Sequence, residues 1–149
     1  MKKLPLIKVI QSAARSGLAA STYYARVFTT TQYIDDSLYQ YNSTTGRITV
    51  LEDGVYRVIG KDTIYLANAV NNYCATKTTG EKDSVIVFDW WNSTHVLSWG
   101  SNVFTNCIST QLIEAGTQVF MQSYVSATTC SFPAGAGATS LAIFRLGGL

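Results

Sequence analysis

The side chains that most often carry out catalysis are scarce in this sequence. His95 is the only histidine, Asp89 precedes it by six residues, and Ser93 and Ser98 lie nearby. Serine, histidine and aspartate together can form a hydrolytic triad, but the Gly-x-Ser-x-Gly turn that presents such a serine in one large hydrolase class is absent. A single histidine beside two tryptophans is more typical of packing or a surface hydrogen bond. We therefore expect no catalytic residue.

Metal and cofactor sites are not indicated either. Cys74, Cys107 and Cys130 form no Cys-x-x-Cys pair, and His95 has no zinc-like spacing to any of them. We expect reduced, buried, structural cysteines, while one disulfide among the three stays compatible with the sequence. The acidic pairs at predicted turns lack the pattern of a calcium loop, and no glycine-rich phosphate loop precedes a helix. The sequence predicts no cofactor and no metal ion.

Charge is sparse and unevenly distributed. Charged residues make up 13% of the chain, about half of the usual share of roughly 25%. This favours a surface that is partly hidden in an assembly, although a polar, uncharged surface would also account for it. Residues 1–26 carry five basic residues and no acidic one, and the remainder has a net charge of −3. Five charges over this length are too sparse for nucleic-acid binding, so we expect docking onto an acidic protein surface.

The N-terminal residues resemble a secretory signal only in part. Pro5 and Lys8 interrupt the apolar run that follows the first lysines, so we predict that this segment is not a cleaved signal. No run approaches the roughly 18 apolar residues of a membrane span. Apolar residues near one helical face predict a short helix over residues 6–19, which would be marginal on its own.

Residues from 26 onward predict short strands separated by turns. Glu52-Asp53-Gly54 is a strong turn signal, Asn92-Ser93 suits a tight hairpin, and a Gly/Ala loop spans 133–138. Many short strands with almost no helix predict a sandwich or jelly roll. The predicted strands are 26–34, two within 46–66, 84–91, 94–99, 102–113, 117–126 and 140–146.

Several of these strands are apolar on both faces. The closing strand places Leu141, Ile143 and Arg145 on one face, and Ala142, Phe144 and Leu146 on the other. Strands 84–91 and 117–126 share this property, and bare outer faces would exceed the few hundred Å² that a monomer usually exposes. We therefore predict self-association, while coverage by the N-terminal segment and long loops is the alternative. One of the adjacent Trp90 and Trp91 must face outward, as an interface anchor or a platform for a sugar.

Three stretches in order resemble one known family. They are YNSTTGRITVLEDGVYRVIGKDTIYL, IEAGTQVFMQ and SLAIFRLGGL, and they are similar to the jelly-roll family of tumour necrosis factor and the globular head of complement component one-q. The resemblance covers roughly residues 26–149 and is weak between 67 and 113. It implies an all-β, ten-strand jelly-roll sandwich packed as a homotrimer, with the last strand near the threefold axis. Arg145 departs from the family, which is usually apolar or small there.

From these observations we predict a basic N-terminal arm or helix at residues 1–25 and a jelly-roll domain at 26–149. The expected function is that of a non-enzymatic virion structural protein, a capsid decoration or cement protein of a tailed bacteriophage. It would be made in the host cytoplasm and bind the capsid exterior, with itself and the major capsid protein as partners and neither nucleic acid nor membrane. The expected capsid-binding arm residues are Lys2, Lys3, Leu6, Ile7, Lys8, Ile10 and Arg15. The expected trimer interface consists of Trp90, Trp91, Phe120, Tyr124, Phe144 and Leu146.

Two other functions fit the same sequence. The first is the receptor-binding knob of a phage tail or head fibre, which would recognise host surface glycans through loops 67–83 and 92–94. The second is a secreted ligand similar to complement heads or cytokines. The family resemblance does not decide among them, because one fold hosts many functions.

Overall fold

The computed structural model describes residues 4–67, 72–96, 101–126, 130–133 and 139–149. These residues form strands and turns without any helix, so the described part of the chain is all-β. The twelve strands are β1 (Leu6–Ser12), β2 (Thr22–Ala25), β3 (Phe28–Ile34), β4 (Tyr39–Asn42), β5 (Arg47–Val50), β6 (Gly54–Leu66), β7 (Asn72–Lys82), β8 (Val85–Val96), β9 (Ser101–Ile113), β10 (Gln118–Val125), β11 (Cys130–Ser131) and β12 (Ser140–Gly147).

The strands form two antiparallel sheets of six strands each. In the first, which we call sheet 1, β9 pairs with the whole length of β6, whose other side pairs with β12 and β11. β12 then pairs with β1, and β1 with β3. In the second, called sheet 2, the order is β4-β5-β10-β7-β8, and β2 pairs with the far end of β10. Strands that are distant in sequence are neighbours in both sheets, as in a jelly roll.

The core lies between the sheets and follows from strict alternation. In β6, every second residue from Tyr56 to Leu66 points inward and is buried, while Arg57, Lys61 and Tyr65 are exposed. The sheets approach closely at Gly60, where a Cβ atom would lie 3.0 Å from Met121 Sδ. The main apolar cluster consists of Ile7, Val9, Phe28, Leu38, Tyr39, Ile48, Val50, Tyr56, Val58, Ile113, Val119, Met121, Leu141 and Ile143.

The predicted helix over residues 6–19 is wrong. Residues 6–12 are β1, which is hydrogen-bonded between β12 and β3, with Ile7 and Val9 fully buried. The apolar spacing fits a strand equally well, and the free edge of β12 supplies hydrogen bonds that an isolated helix lacks. The predicted N-terminal arm is therefore part of the sandwich where it forms β1 and β2.

Two further expectations about local structure need correction. The predicted hairpin at Asn92-Ser93 is wrong, because β8 continues through both residues, which pair with Thr76 and Ala75 of β7. Neither residue is a glycine, and tight hairpin turns need positive φ. Most of the predicted loop 67–83 is β7. The predicted Gly/Ala loop lies outside the described residues, except for Pro133.

The fold class and most strand positions are confirmed. The turn at Glu52-Asp53-Gly54 separates β5 from β6, and Gly116 closes the β9–β10 turn with a φ of 86°. Cys74, Cys107 and Cys130 are buried, and none of them is in a disulfide bond. Within the part of the chain that the structure describes, no helix is suited to crossing a membrane.

Candidate self-association surface

The outward face of sheet 1 carries large apolar side chains that no other described residue covers. On β9, Phe104, Ile108 and Leu112 alternate with buried neighbours and are 64%, 52% and 70% exposed. Leu146 on β12 is 54% exposed. We call this surface the sheet 1 face and define it by the outward side chains of β1, β12, β6 and β9.

Cross-strand pairing joins these side chains into continuous rows. Ile59 of β6 lies opposite Ile108 on one side and Ala142 on the other. One row further, Arg57 lies between Thr110 and Phe144. Because directly opposite residues share one face of a sheet, the exposed groups of β9 continue across β6 onto β12.

A second apolar surface lies along β8 and borders the first. Val85, Ile86, Val87, Trp90 and Trp91 are each more than half exposed, and we call them the β8 edge. β8 pairs with β7 on one side. Its other side contacts β9, where Cys107 Sγ donates to the carbonyl oxygen of Trp90 at 2.9 Å. The β8 edge therefore continues the sheet 1 face around the side of the sandwich.

The two surfaces together are large for a soluble subunit. Nine side chains are involved, and their exposed fractions amount to on the order of 1,000 Å² of apolar area. The largest patch of a typical monomer is a few hundred Å². The nine are Val85, Ile86, Val87, Trp90, Trp91, Phe104, Ile108, Leu112 and Leu146.

All the described charged side chains on the sheet 1 face are basic. Lys8, Arg57 and Lys61 point outward from it, and none of the described side chains on this face is a carboxylate. Lys8 and Lys61 border a cavity of about 460 Å³ that also contacts Phe104 and Phe144. A partner surface that is apolar with acidic side chains would complement this face.

The outward face of sheet 2 is different, because its charges are paired within the subunit. The Arg47 guanidinium bonds Glu81 at 3.1 Å and lies 4.2 Å from the centre of the Phe120 ring. The Lys77 ammonium bonds Asp89 at 3.0 Å and lies 4.4 Å from the centre of the Tyr23 ring. These contacts leave Phe120 only 6% exposed.

A row of tyrosines crosses sheet 2 beside these ion pairs. The Tyr124 ring centre lies 4.9 Å from that of Tyr23 and 5.1 Å from that of Tyr73. The three residues come from β10, β2 and β7 and share the outward face. Trp91 lies on the same face, opposite Lys77.

The six predicted interface residues fall into three places rather than one. Phe144 and Leu146 lie on the sheet 1 face, and Trp90 and Trp91 on the β8 edge, which is contiguous with it. Phe120 and Tyr124 lie on the far side of the molecule, on sheet 2. Our sequence reasoning missed Phe104, Ile108 and Leu112. They stand four residues apart in a strand, which places them on one face, but polar residues between them hide the pattern.

The predicted arm residues are also dispersed. Ile7 is a core residue, whereas Leu6, Lys8 and Ile10 point out from the sheet 1 face and are partly buried. The Arg15 guanidinium lies 4.4 Å from the centre of the Tyr24 ring. Lys2 and Lys3 lie outside the described residues.

Few polar groups are arranged for chemistry. Asp89 accepts hydrogen bonds from Lys77 and from Thr79 Oγ1, and the side chain of His95 lies outside the described residues. No three metal-binding side chains meet among the residues that the structure describes. The Arg26–Asp62 pair, at 3.2 Å, is 1% or less exposed and therefore out of reach of a substrate. Burial raises the pKa of Asp62, although Arg26 opposes this effect.

Comparison with known proteins identifies the fold. No protein-family model and no curated protein matches this chain. Solved structures of murine APRIL are similar: at pH 5.0 the TM-score is 0.68 at 9% identity, over 97% of this chain and 100% of that one. The structure at pH 8.0 gives 0.62 at 10% identity, over 95% and 98%. The fold is thus a tumour-necrosis-factor-like jelly roll, and similarity at this level of identity establishes the fold alone.

Proposed function

We propose that this chain is a non-enzymatic structural protein that assembles as a homotrimer. In each contact, the β8 edge of one copy packs against the sheet 1 face of the next. The observation that carries the proposal is the continuous apolar surface formed by these two regions, which is too large for a solitary soluble subunit. Aromatic side chains such as Trp90, Trp91 and Phe104 are typical of interface cores.

Two features support a face-to-edge contact between copies. The contact joins two different surfaces, so it is heterologous, and such a contact forms a ring when the rotation between copies closes. Charge also fits, because the sheet 1 face bears Lys8, Arg57 and Lys61, while Asp83 lies in the turn that leads into the β8 edge. Closure at three copies rests on the likeness to the tumour-necrosis-factor-like fold.

The assembly is tested by native mass spectrometry and light scattering at micromolar concentration. We expect trimers for the wild-type chain and monomers for Ile108→Asp, because the variant would bury an unpaired carboxylate in the contact. Gln40→Asp, on the exposed edge strand β4, is the matched control and should remain trimeric. A folded wild-type chain that stays monomeric at these concentrations would overturn the proposal.

The biological role that we propose for the trimer is decoration of a bacteriophage capsid. A trimer matches the threefold positions of a capsid lattice, and binding only to the assembled shell would stabilise that shell by mass action. The basic N-terminal residues, with Lys2, Lys3 and Arg15, support attachment to an acidic capsid surface. Ile7 takes no part in this attachment, because it is a core residue.

Attachment is tested with charge reversal rather than truncation, because deleting residues 1–25 would remove β1 and β2. The triple variant Lys2→Glu, Lys3→Glu, Arg15→Glu should form trimers that no longer bind capsids in a co-sedimentation assay. Thr44→Glu with Thr45→Glu, in the exposed β4–β5 turn, is the control for added negative charge. Equal capsid binding by both variants, or no binding by the wild type, would refute the decoration role and leave the trimer proposal standing.

A fibre knob that binds glycans is the second candidate, and one observation favours it. The row of Tyr23, Tyr124 and Tyr73 lies on the sheet 2 face, which stays exposed in the proposed trimer. Aromatic rings beside the polar groups of Lys77 and Asp89 could hold a neutral sugar. Under this alternative, Tyr124→Ala should abolish binding on a glycan array or to host cells, whereas a decoration protein should bind neither.

A further inference from the structure

Two of the three cysteines lie in the same buried cluster, which is separate from the main apolar cluster of the core. Cys74 of β7 and Cys130 of β11 belong to one buried cluster and are 0% and 3% exposed. Interaction with the Cys130 thiol, together with burial, raises the pKa of the Cys74 thiol. The two residues come from opposite sheets, since β7 is part of sheet 2 and β11 of sheet 1.

We propose that Cys74 and Cys130 form a redox modification site, a dithiol that oxidises to a disulfide linking the two sheets. A disulfide needs its two sulfur atoms to move from contact to bonding distance, with Cα atoms roughly 4.4–6.8 Å apart. Cys130 can make this adjustment because β11 is a two-residue strand that pairs with β6 only at Leu66 and Tyr65. The adjoining Phe132 adds two backbone hydrogen bonds with Arg15, so among the described residues few hydrogen bonds resist a shift or a local opening of β11.

The reaction partner that we infer is a small-molecule disulfide such as oxidised glutathione. One cysteine thiolate attacks a sulfur of the oxidant, forms a mixed disulfide and releases one glutathione thiolate. The second cysteine thiolate then attacks the protein sulfur of the mixed disulfide and releases the second glutathione thiolate. The protein loses two protons and two electrons, and the oxidant is reduced to two thiols. Because the raised pKa keeps Cys74 protonated, the reaction should be slow and proceed through local opening.

Cys107 provides an internal control. It is also buried, but its sulfur contacts Thr78 Oγ1 at 3.6 Å and donates to the carbonyl oxygen of Trp90 at 2.9 Å. Among the described residues, no second sulfur atom is a hydrogen-bond partner of Cys107 Sγ. It should therefore remain a thiol under conditions that oxidise the pair.

The experiment treats the full-length chain with oxidised glutathione, alkylates the remaining thiols and measures intact mass. We expect a loss of about 2 Da, one alkylated cysteine, and a peptide linking Cys74 to Cys130. The melting temperature should rise by roughly 10 °C and fall again with a reductant, because the bond closes a long loop of the unfolded chain.

Variants make the assignment specific. Cys107→Ser should still form the disulfide and leave no thiol to alkylate, and it suffices even where Cys74→Ser or Cys130→Ser fails to fold. Folded Cys74→Ser or Cys130→Ser should show no mass loss. Three alkylated cysteines in the treated wild type, or a disulfide that includes Cys107, would overturn the proposal.

Discussion

The outward faces of the two sheets use their charges in opposite ways. On sheet 2, Arg47 and Lys77 each bond a carboxylate and cover an aromatic ring of the same subunit. On sheet 1, Lys8, Arg57 and Lys61 have no ion-pair partner among the described residues, and the apolar groups beside them are bare. The difference shows that sheet 2 is complete within one subunit. Sheet 1 has the composition that we expect of a surface covered by a second copy in the proposed trimer.

The core joins the two sheets, and Arg26 is the core residue whose substitution we expect to lower the free energy of unfolding most. Its guanidinium bonds Asp62 and donates to Ser12 Oγ at 2.8 Å, between the sheets. Arg26→Met would leave Asp62 as an uncompensated buried carboxylate, so we expect a loss of about 3–5 kcal/mol in the free energy of unfolding at neutral pH. Urea denaturation followed by tryptophan fluorescence measures this loss.

The matched control for this variant removes both charges. Arg26→Met with Asp62→Leu should lose less stability than Arg26→Met alone, because no unpaired charge remains in the core. The deficit of the single variant should also shrink at acid pH, where Asp62 becomes protonated. Equal losses in the single and double variants would mean that packing around Arg26, rather than its charge, stabilises the core.

The sheets could be predicted from sequence because alternation and turn residues are local signals. The faces of β12 follow directly from Leu141, Phe144 and their neighbours, and the turn signal Glu52-Asp53-Gly54 marks where β6 begins. The N-terminal strand could not be predicted in this way, because the spacing of Leu6, Ile7 and Ile10 fits a helix and a strand alike. Pairing with β12, which lies 130 to 138 residues further along the chain, decides that this segment is a strand.

The candidate surface was predictable only in part for the same reason. Trp90, Trp91, Phe144 and Leu146 could be named from two-sided strands, but the sequence does not say which outward faces adjoin. Phe120 has the same alternation as Phe144, and Arg47 from another strand covers it. Whether an outward aromatic ring is bare therefore depends on a contact between distant residues.

Charge reversal on each sheet tests the difference between the two outward faces. Its expected effect, on assembly, is smaller than that of Arg26→Met on stability. Arg57→Glu with Lys61→Glu should weaken assembly by about tenfold or more, because like charges then meet across the proposed contact. Lys77→Glu, on sheet 2, should leave assembly unchanged and lower subunit stability by at most about 1 kcal/mol, since partly exposed ion pairs contribute little. Sedimentation velocity over a dilution series measures the first effect.

The compensating change tests the partner side of the same contact. Asp83→Lys, added to the Arg57→Glu, Lys61→Glu chain, should recover part of the lost assembly. If assembly responds equally to reversals on sheet 1 and sheet 2, the contrast between a completed face and an open face would be refuted.

The smallest expected effect concerns three tyrosines whose hydroxyl groups hydrogen-bond to backbone carbonyl groups of the same subunit. The hydroxyls of Tyr39, Tyr41 and Tyr56 donate to the carbonyl oxygens of Pro5, Phe28 and Glu52. Burial raises the pKa of all three phenols above the ordinary value of 10. The folded chain therefore keeps protons that the unfolded chain releases above about pH 10. Their contribution to stability is fully present below that pH and is lost as the pH rises through the folded pKa values.

Denaturation at a series of alkaline pH values measures this loss as a slope. Each such tyrosine adds up to about 1.4 kcal/mol per pH unit to the decline above pH 10, since that is the value of one bound proton. Tyr39→Phe and Tyr56→Phe should each make the decline shallower, while costing about 1 kcal/mol at neutral pH through the lost hydrogen bond. If both variants keep the wild-type slope, deprotonation elsewhere governs alkaline unfolding. The row of Tyr23, Tyr124 and Tyr73 on the outward face of sheet 2 would then be the next group of tyrosines to substitute.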